Sequence, residues 1–262
     1  MRYSTLLLSL LTVIASSAVF AEENTPAHTV TGNFSLVSEY MVRGLTQTRH
    51  KPAVQGGVDY SHSSGFFLGA WGSNVSWLSD MNKLDADGDG NPDGGISNSL
   101  EVDYYGGYRF DLGPFKADLG LWRYWFPGTY PAGFTSPNTL ETYGVLSYES
   151  VSLKYQRTLG NSFGMLSPDG QKTTSSQYFD LSANPEIAEG LTANLHLGYQ
   201  TVTHYSNANY ADWKIGVSKA LDAGWSVGLA YYGTNAKKEV YANAYGQNTG
   251  ASRVVLSLAN TF

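Results

Sequence analysis

Cysteine is missing from all 262 residues. Its absence excludes a disulfide framework, thiolate metal centres and a lipidated N-terminal cysteine. Charge is also sparse, at 15%, and mostly acidic: Lys and Arg number 16 against 22 Asp and Glu, for a formal net charge of −6. A nucleic-acid partner needs a basic surface, and this balance argues against one. Long apolar runs are lacking too. The stretch Leu6 to Ile14 falls well short of the roughly 20 residues a helix needs to cross a bilayer. Helix is hard to place elsewhere, with Pro185–Glu189 the one candidate for a single turn. Walker loops and dinucleotide fingerprints are absent, and His28, His50, His196 and His204 are scattered without metal spacing.

What the chain does have is aromatic residues and glycine. Aromatics make up 14%, with 19 Tyr and 29 Gly, in a sequence only 42% hydrophobic. That is too polar for a helical membrane protein and too rich in Tyr and Trp for an ordinary secreted sandwich. A transmembrane β-barrel fits, because only one side of each strand touches lipid and aromatics line both interfaces. The N-terminus supports export: Met1-Arg2 is a short positive region, and Ala18-Val19-Phe20-Ala21 offers small-residue cleavage before Glu22-Glu23. We therefore expect a signal peptide over residues 1–21 and one barrel domain over 22–262, placed in the outer membrane of a Gram-negative bacterium. Loss of Arg2 with the leader leaves a mature net charge of −7. The last twelve residues alternate, putting Val254, Leu256, Leu258 and Phe262 on one face, with Asn260 the one departure. They read as a closing strand that the barrel-assembly machinery would recognise.

Twelve alternating segments can be placed, near 31–44, 52–61, 65–78, 98–110, 114–126, 139–149, 151–159, 175–183, 190–202, 209–220, 224–233 and 251–262. The links alternate in length. His62–Ser64, Asp111–Gly113, Ser150, Asn184–Gly190 and Leu221–Gly224 are short, whereas Ser79–Ser97, Pro127–Thr139, Asn161–Thr174 and Thr234–Gly250 are long. Short periplasmic turns and longer extracellular loops produce this pattern. The fold class expected is all-β, an antiparallel transmembrane β-barrel of about 12 strands.

A charge on the lipid face at mid-bilayer costs about 2–4 kcal/mol, so the charged side of each strand must face the lumen. That rule places Glu39, Arg43, Asp59, Glu101, Asp103, Arg109, Lys116, Asp118, Glu141, Lys154, Asp180, Asp212, Lys214 and Arg253 inside, as pore-lining candidates. Both signs are present, and in so narrow a barrel opposite charges can pair across the lumen. Such a lining selects small polar solutes or, if fully paired, closes the barrel. Arg123 and Arg157 fall on the outward side near the outer strand ends, where snorkelling or contact with anionic lipid and lipopolysaccharide headgroups accommodates them.

Two motifs invite chemistry. In Asp85-Ala-Asp-Gly-Asp-Gly-Asn-Pro-Asp93, the carboxylates of Asp85, Asp87, Asp89 and Asp93 crowd together as in the first half of an EF-hand loop. The bidentate Glu that would complete it is replaced by Ile96, so a weak structural Ca²⁺ site outside EF-hand architecture is the form expected. Chelation would then change protease sensitivity at Asp85–Asp93 while the barrel stays folded, and equal cleavage with and without Ca²⁺ would remove the idea. The second motif, His62-Ser63-Ser64 with Asn74, resembles the His-x-Ser pair and Asn of twelve-stranded outer-membrane phospholipases. Its place in a tight periplasmic turn argues against lipid hydrolysis, and no catalytic residue is assigned.

The block Gly32-Asn-Phe-Ser-Leu-Val-Ser-Glu-Tyr40-Met-Val-Arg43-Gly44-Leu-Thr-Gln47-Thr, followed by Lys51-Pro52-Ala53-Val-Gln55-Gly56-Gly57-Val-Asp59-Tyr60 and Phe67-Leu-Gly69-Ala-Trp71, resembles the TorF-type porin family, the Gcw_chp conserved proteins of Gram-negative bacteria. The resemblance covers about the first two or three strands and implies an outer-membrane porin. It carries no catalytic or ligand residues. Our expectation is a passive diffusion channel for small hydrophilic solutes or ions, without a resident cofactor. The rival is a closed structural or surface-binding barrel.

Overall fold

The computed structural model describes residues 26–85 and 88–262. The expected signal peptide, residues 1–21, and Asp87 of the acidic loop lie outside the described residues. Twelve long strands run antiparallel: β1 His28–Val37, β2 Ala53–His62, β3 Phe66–Asn74, β4 Leu100–Leu112, β5 Phe115–Trp125, β6 Thr139–Tyr148, β7 Val151–Thr158, β8 Gln177–Ala183, β9 Leu191–Thr201, β10 Tyr210–Ala220, β11 Trp225–Thr234 and β12 Arg253–Thr261. Each pairs with the next in sequence, and β1 also pairs with β12, Leu36 opposite Leu258. The sheet is therefore a closed barrel with no free edge. The seam ends on reciprocal bonds in which Gly32 N donates to Phe262 O (2.7 Å) and Phe262 N to Gly32 O (3.0 Å). The Phe262 ring lies over Gly32, where a Cβ would come within 2.4 Å of it. Asn260, the odd residue of the closing strand, donates to Ala223 O of the adjoining turn (2.9 Å).

Alternation sorts the two faces. Outward positions such as Leu121, Leu153, Leu197, Ile215 and Leu256 are exposed, Ile215 by 62%. A belt this continuous is satisfied only by lipid or detergent. Two aromatic girdles flank it: Phe66, Tyr108, Phe110, Phe115, Tyr148 and Trp225 at the end with short turns, and Tyr104, Trp125, Tyr155, Phe179, Tyr199 and Tyr231 at the end with long loops. Arg123 and Arg157 sit on the outward face near the loop end, where Arg157 Nη2 donates to Ser175 Oγ (3.0 Å).

Three departures from the sequence expectation matter. The segment 31–44 is not one strand: β1 stops at Val37, and Met41–Val42 and Leu45–Thr46 form a small separate hairpin. The third strand ends at Asn74 rather than 78, because Trp77–Asp80 makes a helical turn. Pro185–Glu189, read as a single helical turn, instead carries a strand fragment, Glu186–Ala188, on β9, while a second helical turn occurs at Lys238–Tyr241. Over the loop end, Val75, Leu78, Ile96 and Phe126 form a small core with Trp122 and Tyr124, and Trp77 meets Phe126 edge to face at 5.4 Å.

Candidate lumenal site

The lumen is organised by the Met41–Thr46 hairpin. Its two-residue turn is Arg43-Gly44, with φ of 47° and 76°, the signs a type I′ turn demands. Only Gly44 does this at no cost. Arg43 pays for a left-handed conformation, of order 1 kcal/mol or more, and persists because its surroundings hold it. Gly44 is needed for space as well, since a Cβ there would lie 2.7 Å from Asp212 Cβ on β10. The tip backbone therefore lies against β10 and β11, two to three strands round the ring from β1.

The Arg43 guanidinium is clamped. Nη2 donates to both oxygens of Glu141 on β6 (2.8 and 3.0 Å), and Nη1 donates to Gln200 Oε1 on β9 (2.8 Å). Its Cζ lies 4.3 Å from the centroid of Tyr178 on β8. Gln156 on β7 donates to the second Glu141 oxygen (2.7 Å). Burial alone would lower the pKa of Arg43, but Glu141 more than offsets this and holds it above the ordinary arginine value. Further up the hairpin, Tyr40 Oη donates to Glu101 (2.9 Å). Burial, then the Glu101 and Asp103 charges, push its hydroxyl well above the usual tyrosine range. At the mouth, His50 Nδ1 lies 2.6 Å from Glu39 Oε1, and Arg253 Nε lies 3.7 Å from Glu39 Oε2.

A second cluster occupies β8 to β10. His196 sits between Asp212 (Nε2 to Oδ1, 2.8 Å) and Asp180 (Nδ1 to Oδ1, 3.1 Å), and Tyr178 Oη donates to Asp212. Lys154 stands across the strand pair from Asp180, and Lys214 across from His196. A third runs down β2 to β5, where Tyr105 Oη donates to Asp59 (2.6 Å) and Arg109 Nε to Asp118 (3.1 Å). Inward glycines make room for the tyrosines: a Cβ on Gly69 would touch the Tyr105 ring, and one on Gly120 the Tyr143 ring. Beneath the hairpin lies a cavity of about 130 Å³, with Asp103, Trp122, Lys214 and Asn194 on its wall and Ser226, Asn260 and Thr261 at its turn end. That is space for several waters.

The strand candidates Glu101, Asp103, Arg109, Asp118, Glu141, Lys154, Asp180, Asp212 and Lys214 thus lie on the inward side of their strands, with Asp59 beside them. Glu39 and Arg43 enter on the hairpin instead of β1, and Arg253 is at the mouth. Lys116 departs from the expectation: it is exposed at the turn end of β5, opposite Asp111, and belongs to the rim rather than the wall. Sequence reasoning missed Tyr40, Gln156 and Tyr178 as members of the site, whereas alternation already put Gln200 on the inward face. The available signal was the Arg43-Gly44 pair, which can reverse the chain inside an otherwise alternating stretch.

In the acidic loop, Asp85 is engaged by its own backbone, its carboxylate accepting from the amides of Gly88, Asp89 and Gly90. Among the described residues no group of three His, Asp or Glu side chains is placed to hold a metal. His62 Nδ1 lies 2.7 Å from Ser64 Oγ at the turn end, whereas Asn74 is at the loop end of β3, bonded to Val54 N and Pro52 O. The three do not converge.

The family whose model matches residues 21–262 is described as Gcw_chp, bacterial protein of unknown function. No curated protein matches the chain. Among solved structures, a KdgM porin is 8% identical, with a TM-score of 0.51, 88% of this chain and 98% of that chain covered. A KdgM porin in complex with disordered oligogalacturonate gives 10%, 0.52, 89% and 98%, and a NanC porin 9%, 0.52, 89% and 99%. At such identities the likeness is one of fold.

Proposed function

This chain belongs to the Gcw_chp family of bacterial proteins of unknown function, and from its barrel and lumen we propose that it is an outer-membrane porin, a passive diffusion channel for small hydrophilic solutes or ions. One observation carries this reading: a closed barrel with a lipid-compatible exterior surrounds a polar, charged lumen that retains a cavity below an inserted hairpin. The KdgM and NanC porins share the fold, which favours the TorF-type porin assignment. We assign no catalytic role. The long loops face the cell exterior in this scheme, and the partners are outer-membrane lipid, lipopolysaccharide near Arg123 and Arg157, the assembly machinery at the β12 strand, and small solutes.

Acidic groups prevail on the lumenal side. Glu39, Asp59, Glu101, Asp103, Asp118, Glu141, Asp180 and Asp212 face Arg43, Arg109, Lys154, Lys214 and Arg253, so cations are the favoured ions. Single-channel recording of the refolded protein in a planar bilayer under a salt gradient tests both points. We expect discrete steps with a cation-selective reversal potential. An anion-selective potential would show that the cationic side chains dominate. Silence from a demonstrably folded barrel would favour the second reading, a closed surface-binding barrel. That rival draws its support from the Arg43–Glu141 pair spanning the lumen.

A further inference from the structure

Glu101 and Asp103 are two positions apart on the inward face of β4, buried to 2% and 3% exposure. Neither has a Lys, Arg or His of the described residues within 4.0 Å. Glu101 accepts the Tyr40 hydroxyl, and Asp103 Oδ2 accepts the Trp122 indole N–H (3.0 Å). Among the described residues Asp103 Oδ1 has no hydrogen-bond partner, and nor does the indole N–H of Trp71, 6% exposed on the same cavity wall. An ionised carboxylate buried without a counter-charge is costly: it gives up its charge by holding a proton, or keeps it when a cation comes to it. The cationic group lining this cavity, Lys214, is on β10, six strands round a ring of twelve, and so compensates neither.

The walls around Asp103 say which kind of cation fits. Tyr40, Trp71, Tyr105 and Trp122 all face this cavity. Tyr105 and Trp122 stack at 4.2 Å and 11°, and Tyr40 meets Trp71 at 5.6 Å. A hard divalent ion wants about six or more oxygen ligands, which two carboxylates and a phenol do not supply. Rings beside a carboxylate suit an organic ammonium ion, which takes Coulomb attraction from the one and cation–π contact from the others.

We propose that the lumen beneath the hairpin holds a binding site for a small organic ammonium ion, with Asp103 as its counter-charge, Glu101 as a supporting charge, and the Tyr40, Trp71, Tyr105 and Trp122 rings as its walls. That such ions are then preferred solutes rests on the channel reading; the binding itself does not.

The test is equilibrium binding to the full folded barrel in detergent, separate from any conductance. Tetramethylammonium chloride is titrated at constant ionic strength against sodium chloride, with calorimetry and the fluorescence of the lumenal tryptophans as readouts. Saturable binding is expected for the native chain, weakened roughly tenfold or more by Asp103→Asn, less by Glu101→Gln, and unaffected by Asp111→Asn at the exposed turn end of β4. tert-Butanol, of similar size and no charge, should not bind. The idea is overturned if the native barrel shows no saturable binding, if Asp103→Asn and Glu101→Gln both bind like the native chain, or if sodium competes at equal concentration. Should Asp103→Asn fail to fold, Glu101→Gln and Trp122→Phe decide it by the same criterion. A barrel that binds tetramethylammonium yet conducts nothing would sink the channel reading and leave this one standing.

Discussion

Replacing Arg43 by Ala should raise single-channel conductance several-fold, or open a barrel that is silent in its native form. Arg43 fastens the hairpin tip to β6 and β9 through Glu141 and Gln200, at side-chain exposures of 3% for Arg43 and 1% for Glu141. Removing one member of a buried ion pair costs about 3–5 kcal/mol, because the other is left as an uncompensated charge. Even the lower figure shifts the equilibrium between seated and released hairpin by roughly two orders of magnitude. The strained φ of Arg43 adds to the effect: once the clamp is gone, nothing repays the left-handed conformation. Glu141→Gln should act in the same direction. Arg43→Lys should fall between, since an ammonium keeps the charge but not the two-pronged geometry. The double variant Arg43→Ala with Glu141→Ala should conduct no more than either single one, as expected for a coupled pair. If a folded Arg43→Ala barrel conducts like the native one, the hairpin is not what limits passage.

The second large effect is on folding itself. At Gly107, opposite Gly120 on the β4–β5 pair, a Cβ would stand 2.1 Å from Leu119 O and 2.8 Å from Gly120 Cα. Both are backbone atoms of the paired strand. They can retreat only by breaking the ladder that joins β4 to β5, and a barrel has no edge at which to absorb the slip. Gly107→Val should therefore lose the fast-migrating folded band on an unheated gel nearly completely. Gly160→Ala is the control: nothing lies within 4 Å of its added carbon and its φ is unremarkable, so its folded fraction and Tm should match the native chain. A folded Gly107→Val barrel would mean that β4 and β5 tolerate a different register.

The particular residues show where the sequence was legible. Leu100, Val102, Tyr104, Tyr108 and Phe110 were assignable to lipid, and Glu101, Asp103 and Arg109 to the lumen, because side chains alternate strictly along a strand and hydrocarbon rejects charge. The same rule placed His196 and Gln200 inward. It misjudged Lys116, since alternation indicates a side and not a depth, and a rim position satisfies a lysine with solvent. It also read Glu39 to Gly44 as more of β1. The alternation there is real, but two residues with positive φ turn the chain back, and in that stretch only glycine announces such a turn.

By itself, then, the chain determined that it would close into a barrel of twelve strands, which face of each strand meets lipid, and at which end the long loops lie. All of that is local, set by period-two alternation and by turn residues. Only the tertiary structure decided that Arg43 meets Glu141 and Gln200, that His196 stands between Asp180 and Asp212, and that Asp103 faces the cavity, with Glu101 two positions along and no cation of the described residues within 4.0 Å of either. The physical reason is that charge partners across a lumen belong to strands far apart in sequence. They are brought together by ring closure and register, quantities that no local pattern records.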